Sequence, residues 1–330
     1  MSLLLLFLNE TGHNSFISMF TFEPVLSEFT SVTLYFCPLS PAELDADTVA
    51  LIKSWLPQDE IDKVNRYIKQ EAKEQGLMVR GFLRALLSKQ AGLGPDEWRF
   101  EYGEKGKPRL SESQFLQTGL HFNLSHSGDW LVVGICEPQF AYGSGNTDVG
   151  AHKLELGVDI ERCRDGTNIH SILSHYFSEP EKAALLALPH ELQRARFFDL
   201  WALKESYIKA KGLGLALSLK SFAFDFSSLT ETSLELDVGQ NLNHTETSKG
   251  RLDTQQIICK QNIGLSLQEG SDDKQAVNHL QSQPMQPAKD WHCWLGHLDD
   301  SYRFAVSIGK CQQASIKAKV VNLPSLLASL

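Results

Sequence analysis

The segment 191–211 constrains the fold most, because it reads as one long helix with mixed chemistry along a single line. Gly212 and Gly214 stop it, glycine being the residue that tolerates the left-handed turn at a helix C-terminus. Within it Trp201, Glu205 and Lys209 stand at i, i+4 and i+8 and stack along one stripe. An exposed Glu–Lys pair of this spacing is worth roughly 0.2–0.5 kcal/mol and is ordinary on a solvated face. Phe197, Leu200 and Ile208 are strongly apolar, however, and an aromatic, an acid and a base in line beside them do not suit a face that meets only water. The Lys211-Gly-Leu-Gly run is not a phosphate loop, since it closes a helix and a phosphate loop opens one.

Two shorter segments carry further chemistry. Residues 154–161, Leu-Glu-Leu-Gly-Val-Asp-Ile-Glu, alternate as a strand does. Leu156, Val158 and Ile160 can enter a core while Asp159 and Glu161 project together from the other face. Their Cα atoms would lie roughly 6.5–7 Å apart, within reach of one cation. A half-buried strand with a solvated acidic face fits the same pattern. In 122–129, Phe-Asn-Leu-Ser-His-Ser-Gly-Asp, two hydroxyls and an imidazole precede Gly128 at a strand end and can donate hydrogen bonds to an anion. A lone His is more often structural. Ser125 and Asp129 do not make a hydrolytic triad, because near neighbours in sequence cannot adopt that geometry and no nucleophile-elbow motif is present.

Length and charge narrow the class. The 330 residues suffice for two globular halves, and 42% hydrophobic with 22% charged content excludes collagen-like, coiled-coil and wholly disordered chains. A net charge of −9 excludes a dedicated duplex-nucleic-acid binder, which needs a large basic surface. The charge is uneven. Residues 61–110 hold eleven Lys/Arg against seven Asp/Glu, a local positive excess able to steer an acidic partner that the total would repel. Six cysteines (37, 136, 163, 259, 293 and 311) form no CxxC pair, which suits reduced thiols in the cytoplasm. His292, Cys293 and His297 offer an alternative metal site without a fourth spaced ligand. The apolar run 3–8 has no Lys or Arg before it and falls far short of the roughly 20 residues a membrane span needs. It reads as a retained leader or an upstream start-site artefact, and no membrane partner is expected.

Along the chain, 1–28 reads as an extension, 31–37 as a strand, and 45–93 as helical with a break at Leu56-Pro57. Strands follow at 98–102, 120–124 and 130–136, the first trailed by a Gly-Glu-Lys-Gly-Lys-Pro loop. The Gly-rich run 142–147 separates the halves, giving expected half-domains at 29–150 and 151–330. The second half holds the strand 154–161, a helix at 179–188, the long helix, and a strand at 222–226. A Gln/Asn/Ser/Thr-rich stretch over 238–290 reads as a mobile, disordered insertion, and 291–298 with 303–308 as a closing hairpin. Each half is then a small antiparallel sheet with packed helices, an α+β class. The likeness of 130–135 to 303–308 hints at duplication.

Taken in order, Phe122-Asn-Leu-Ser-His-Ser127, Gly157-Val-Asp-Ile-Glu161 and Trp201-Ala-Leu-Lys-Glu-Ser-Tyr-Ile-Lys-Ala-Lys-Gly212 make a family pattern. The chain resembles the Sfp-type 4′-phosphopantetheinyl transferases, with Lys105-Gly-Lys-Pro108 and the Arg80/Arg84 helix in the expected order upstream. The resemblance spans about 30–225 and 291–310. It implies a monomeric pseudo-dimer of two similar α+β half-domains with the active site between them. It also implies transfer of the phosphopantetheine arm of coenzyme A to a serine of an apo acyl or peptidyl carrier protein, releasing adenosine 3′,5′-bisphosphate. Residue by residue, Asp159, Glu161 and Glu205 look like Mg2+ ligands, an all-oxygen set that a hard cation prefers. Glu205 also looks like the base for the incoming serine, and Lys209 like the group on the transferred phosphate. Ser125 and His126, with Lys107 and Arg80, resemble binders of the coenzyme A phosphates, and Lys63 and Arg66 the variable basic positions near the 3′-phosphate. Trp201 reads as packing. The nucleophile comes from the partner, in keeping with the lack of an activated Ser or Cys. The extension, the Gly-rich run and 238–290 carry no family motif. A non-catalytic coenzyme A or carrier-binding module and a metal-dependent phosphodiesterase are the alternatives.

Overall fold

Strands from both halves join in one large sheet in the computed structural model, which describes residues 27–136, 154–237, 256–268 and 284–330. The first half runs β1 (Ser27–Pro38), α1 (Ala46–Trp55), α2 (Gln58–Asn65), α3 (Gln70–Ala91), β2 (Phe100–Tyr102), β3 (Pro108–Leu110), α4 (Glu112–Thr118), β4 (His121–Ser127) and β5 (Trp130–Cys136). Then come β6 (Glu155–Arg162), α5 (Ile169–Tyr176), α6 (Glu179–Leu186), α7 (His190–Lys211), β7 (Phe222–Asp225) and β8 (Thr230–Asp237). Last are β9 (Gln256–Gln261), β10 (Gly264–Gln268), β11 (Met285–Pro287), β12 (Trp291–His297), β13 (Tyr302–Gly309), β14 (Cys311–Val320) and α8 (Leu323–Ala328).

The class is α+β, as expected, but the small antiparallel sheet foreseen for each half is corrected. Nine strands hydrogen-bond in the order β4-β5-β1-β14-β8-β9-β12-β13-β6, and the sheet is mixed because β14 lies parallel to both β1 and β8. The reason is the return of the chain after β13. Residues 311–320 run along β1, from Ser27 opposite Cys311 to Phe36 opposite Val320, and bridge the two halves. Leu323 and Leu326 of α8 then enter the core formed by Leu77, Phe82 and Leu86 of α3, so the end of the presumed second half completes the first.

Alternation distributes the core. On one face of the sheet Val32, Leu34 and Phe36 of β1 meet Val158 and Ile160 of β6 and Phe304 and Val306 of β13. The opposite face is covered by α1, α3 and α8 on β1 and β5, and by α7 on β6, β12 and β13. The expected helices at 45–93 and 179–211 and the hairpin at 291–308 are in place. Within 238–290, β9, β10 and β11 stand where a disordered insertion was expected. Ile257, Cys259, Ile263 and Leu265 are buried, and the outward apolar Ile258 between the first two hid the alternation of β9. The remaining parts of that stretch, 1–26 and the Gly-rich run 142–147 lie outside the described residues. Among the described residues no helix is long and apolar enough to cross a membrane.

Close approach of α7 to β6 depends on Gly157. A Cβ there would collide with the carbonyl oxygen of Ser206 and the backbone of Ala210. Gly157→Ala is expected to destabilise the chain by about 2–3 kcal/mol, the scale of overpacking in a well-filled interior, measured by urea unfolding.

Candidate active site

β4 and β6 occupy the two ends of the sheet order, and side chains stitch them together. Asn123 Oδ1 accepts from the Val158 amide at 2.8 Å, and Ser127 Oγ accepts from the Arg162 amide at 3.1 Å. Between them, Ser125 Oγ donates to Asp159 Oδ1 at 2.9 Å. These three residues alternate along β4 and therefore face the same way, so the strand pattern of 122–127 is also the pattern of the seam.

Asp159 is the centre of the site. Its carboxylate is 4% exposed, and Lys209 Nζ donates both to its Oδ1 at 2.6 Å and to Ser125 Oγ at 2.6 Å. Its Oδ2 is buried without a hydrogen-bond partner among the described residues. A buried charged oxygen left without a donor is costly, on the order of 1–3 kcal/mol or more, and a cation would relieve it. Burial, then the negative charge of Asp159, pushes Glu161 up to about 7. Burial followed by the same charge also raises Glu205, against the pull of Lys209. The charge of Asp159 thus reaches both other acids, Glu161 on its own strand and Glu205 on α7. No three His, Cys, Asp or Glu side chains among the described residues close into a cage by themselves. Mg2+ does not require one, since it keeps several waters and is held by one or two carboxylates with substrate phosphate. An all-oxygen set with an orphaned buried oxygen fits that ion.

A consequence in pH follows. Between about 4.5 and about 7 the folded chain retains the Glu161 proton that the unfolded chain releases, so this group lowers stability as pH rises through that window. A divalent cation binds the ionised form. Mg2+ is therefore expected to raise the Tm of the chain more at about pH 7.5 than at about pH 5.5, read by calorimetry, and an equal rise at both would count against the site.

Basic residues surround the acids unevenly. His126 keeps part of its surface open on β4, and partial desolvation of its ring, then the charges of Lys209 and Arg80, hold its pKa down. Arg80 Nη1 donates to the Gly76 carbonyl at 2.8 Å, and its Nε lies 3.5 Å from Glu60. Arg84 is structural, buried against Glu60 at 2.8 Å and the Trp98 carbonyl at 2.9 Å. Lys107 donates to the carbonyls of Leu156 at 3.0 Å and Ala210 at 2.8 Å, tying β6 to the end of α7, and burial lowers it to about 8. It lines a groove of about 560 Å3 with Phe115, His121, Phe122 and Leu154, which includes none of the three acids. Lys63 pairs with Asp59 at 3.2 Å and covers the Tyr102 ring, and Arg66 is exposed at the end of α2. Among the described residues neither Lys63 nor Arg66 bonds to the acid cluster.

Trp201 packs as expected, stacked on Phe197 with ring centroids 6.0 Å apart. The alternative metal site does not form. His292 and Cys293 point to opposite faces of β12, and His297 pairs with Asp199 at 2.8 Å. Sequence reasoning left Lys204 unassigned. Its ammonium, fully buried, pairs with fully buried Glu181 at 2.8 Å and donates to the Leu219 and Phe222 carbonyls. Glu181 in turn closes a capping box with Ser178 and accepts from the Phe224 amide. The Ser178-Glu-Pro-Glu spacing was the available signal.

Comparison with known proteins places these features in a family. Residues 155–261 match the 4′-phosphopantetheinyl transferase superfamily, and residues 44–137 match the 4′-phosphopantetheinyl transferase N-terminal family. The chain is 31% identical to the 4′-phosphopantetheinyl transferase HetI of Nostoc sp. strain PCC 7120 over 181 residues, 55% of this chain and 68% of that protein. It is 36% identical to the 4′-phosphopantetheinyl transferase AcpT of Salmonella typhi over 47% of this chain and 69% of that protein. With the 4′-phosphopantetheinyl transferase Sfp of Bacillus subtilis strain 168 it shares 31% identity over 48% of this chain and 61% of that protein. The chain belongs to the 4′-phosphopantetheinyl transferase superfamily.

Proposed function

We propose that the chain transfers the 4′-phosphopantetheine arm of coenzyme A to a serine of an apo acyl or peptidyl carrier protein, giving the holo carrier and adenosine 3′,5′-bisphosphate. The observation that carries this reading is Asp159, which presents one oxygen to Lys209 and Ser125 and leaves the other buried and unsatisfied in a chain of this family. Asp159, Glu161 and Glu205 would hold Mg2+, which supplies charge neutralisation at the pyrophosphate when bound. The remaining work falls to the chain. His126, Arg80 and Ser125 orient the coenzyme phosphates beside the seam. Glu205 accepts the proton from the incoming serine hydroxyl, and its raised affinity for a proton suits that task. Lys209 Nζ, already within hydrogen-bond distance of Ser125 and Asp159, swings to the transferred phosphate and donates to it. Lys107 positions β6 and α7 from behind through its two carbonyl bonds.

We read the two halves as a monomeric pseudo-dimer. In support, α3 and α7 each run 22 residues and end on a left-handed glycine, Gly92 and Gly212. Each half also contributes an antiparallel hairpin, β4–β5 and β12–β13. Six cysteines free of disulfides suit a reducing cytoplasm.

Intact-mass measurement of a panel of apo carriers incubated with the chain, coenzyme A and Mg2+ tests the reaction. Serine-linked mass gain on at least one carrier is the expected result. Release of adenosine 3′,5′-bisphosphate without any carrier would favour a phosphodiesterase. Coenzyme binding without either product would favour a binding module.

A further inference from the structure

Asp199 lies on α7, six residues before Glu205, and its carboxylate is 5% exposed. Three strands aim basic side chains at it: His297 Nε2 from β12 at 2.8 Å, Arg303 Nε from β13 at 3.3 Å, and Lys260 Nζ from β9 at 3.6 Å. Arg303 has a second carboxylate in reach. β13 pairs with β6 so that Arg303 stands directly opposite Glu161, and Ala305 opposite Asp159. Both side chains are on the α7 face. Ser307, two pairs further along β13, bonds Ser206 of α7, and Asp159, one pair from Glu161 on that face, bonds Lys209. Directly opposed residues on one face have Cβ atoms roughly 4.5–5.5 Å apart, close enough for an arginine to pair with a glutamate.

Arg303 does not take that partner. Its Nη1 donates to the carbonyls of Asp299 at 3.2 Å and Asp300 at 3.3 Å in the β12–β13 turn, and its Nε meets Asp199 Oδ1 at 3.3 Å as an ion pair without a hydrogen bond. The charges acting on Glu161 come from Asp159, Arg164, Lys209 and Glu205. A guanidinium turned toward Glu161 would form a strong, directional pair with it and occupy the oxygens a metal needs.

We propose that Asp199 is a positioning residue, which holds Arg303 toward the 299–302 turn and thereby keeps Glu161 open to the divalent cation. The inference rests on the metal reading given above. It assigns Asp199 no contact with substrate; Asp199 acts through Arg303.

Mn2+ serves as the probe, titrated into the full chain with coenzyme A present and followed by the loss of its free-ion paramagnetic resonance signal. Asp199→Asn is expected to weaken Mn2+ binding by about tenfold or more, in the range seen when a partner beyond the ligands is lost. Arg303→Met in that background removes the competing cation and is expected to restore the affinity to within about twofold of the unaltered chain. Asp199 and Arg303 touch, so the double variant also relieves a stranded buried arginine. Urea unfolding of the same variants is read alongside, and a loss and recovery of Mn2+ affinity that merely track stability would overturn the proposal. Arg303→Met alone is expected to bind Mn2+ as the unaltered chain does. Equal affinity in Asp199→Asn and the unaltered chain, or failure of the double variant to recover, would overturn the proposal. Should Asp199→Asn fail to fold by circular dichroism, Arg303→Met decides: retained Mn2+ affinity supports the proposal and a tenfold loss overturns it. If the unaltered chain takes up no Mn2+ in the presence of coenzyme A, the metal reading itself fails and this inference with it.

Discussion

Asp159→Asn is expected to slow carrier modification by about 10²–10³-fold, with the chain still folded by circular dichroism. The substitution keeps the shape of the side chain and its place beside Ser125. It removes the charge that holds Lys209 Nζ at 2.6 Å and the oxygen left open for a cation. Lys209→Met should cause a loss of similar size, because the two groups meet on one oxygen. The double variant should then fall well short of the product of the two losses, as residues that act as a unit do. Time courses of carrier mass at saturating coenzyme A measure all three rates. A rate for Asp159→Asn within a few-fold of the unaltered chain would remove Asp159 from the site.

Lys204→Met is expected to cost about 3–5 kcal/mol in urea unfolding. The cause is the charge left behind. Glu181 has no exposed carboxylate surface and pairs with Lys204 at 2.8 Å, so truncating the lysine strands a buried anion. It also frees the Leu219 and Phe222 carbonyls that Lys204 satisfies. Glu181→Gln in the same background should recover part of the loss by removing the stranded charge. Additive losses would mean the pair is not coupled. Lys204 adjoins Glu205 in sequence but points into the packing of α6, α7 and β7, so its loss should act through folding.

Much of the site was legible before the fold was known. Period-two alternation in 154–161 places Asp159 and Glu161 on one face, and the helical spacing of Trp201, Glu205 and Lys209 places the last two on one stripe. Both are local regularities, which is why they survived. The roles of Asn123 and Ser127 were not legible, because their partners are backbone amides of a strand more than thirty residues away. Lys107 illustrates a different limit. Its type and place suggested a phosphate contact, whereas its ammonium is engaged by two carbonyls whose proximity only the packing of α7 on β6 creates. The basic window 61–110 is likewise less free than its count implies, since Lys63, Arg84 and Arg109 are each paired with an acid. The sheet was misread for the same reason. β1 pairs in parallel with a strand 284 positions later, and no periodicity within either strand announces that partner.

The late return of β14 and α8 bears on how the chain is made. Residues 311–328 emerge from the ribosome after everything they pack against, yet they supply a neighbour strand to β1 and the buried Leu323. The first half therefore waits through the synthesis of the whole second half with one flank of β1 open and its helical layer incomplete. Such long-range closure slows folding and leaves unpaired strand edges exposed in the interval. The two halves then cannot be cut apart at the 137–153 connection and expected to fold as separate pieces. A permuted chain that carries residues 311–328 ahead of β1 should reach its native state sooner.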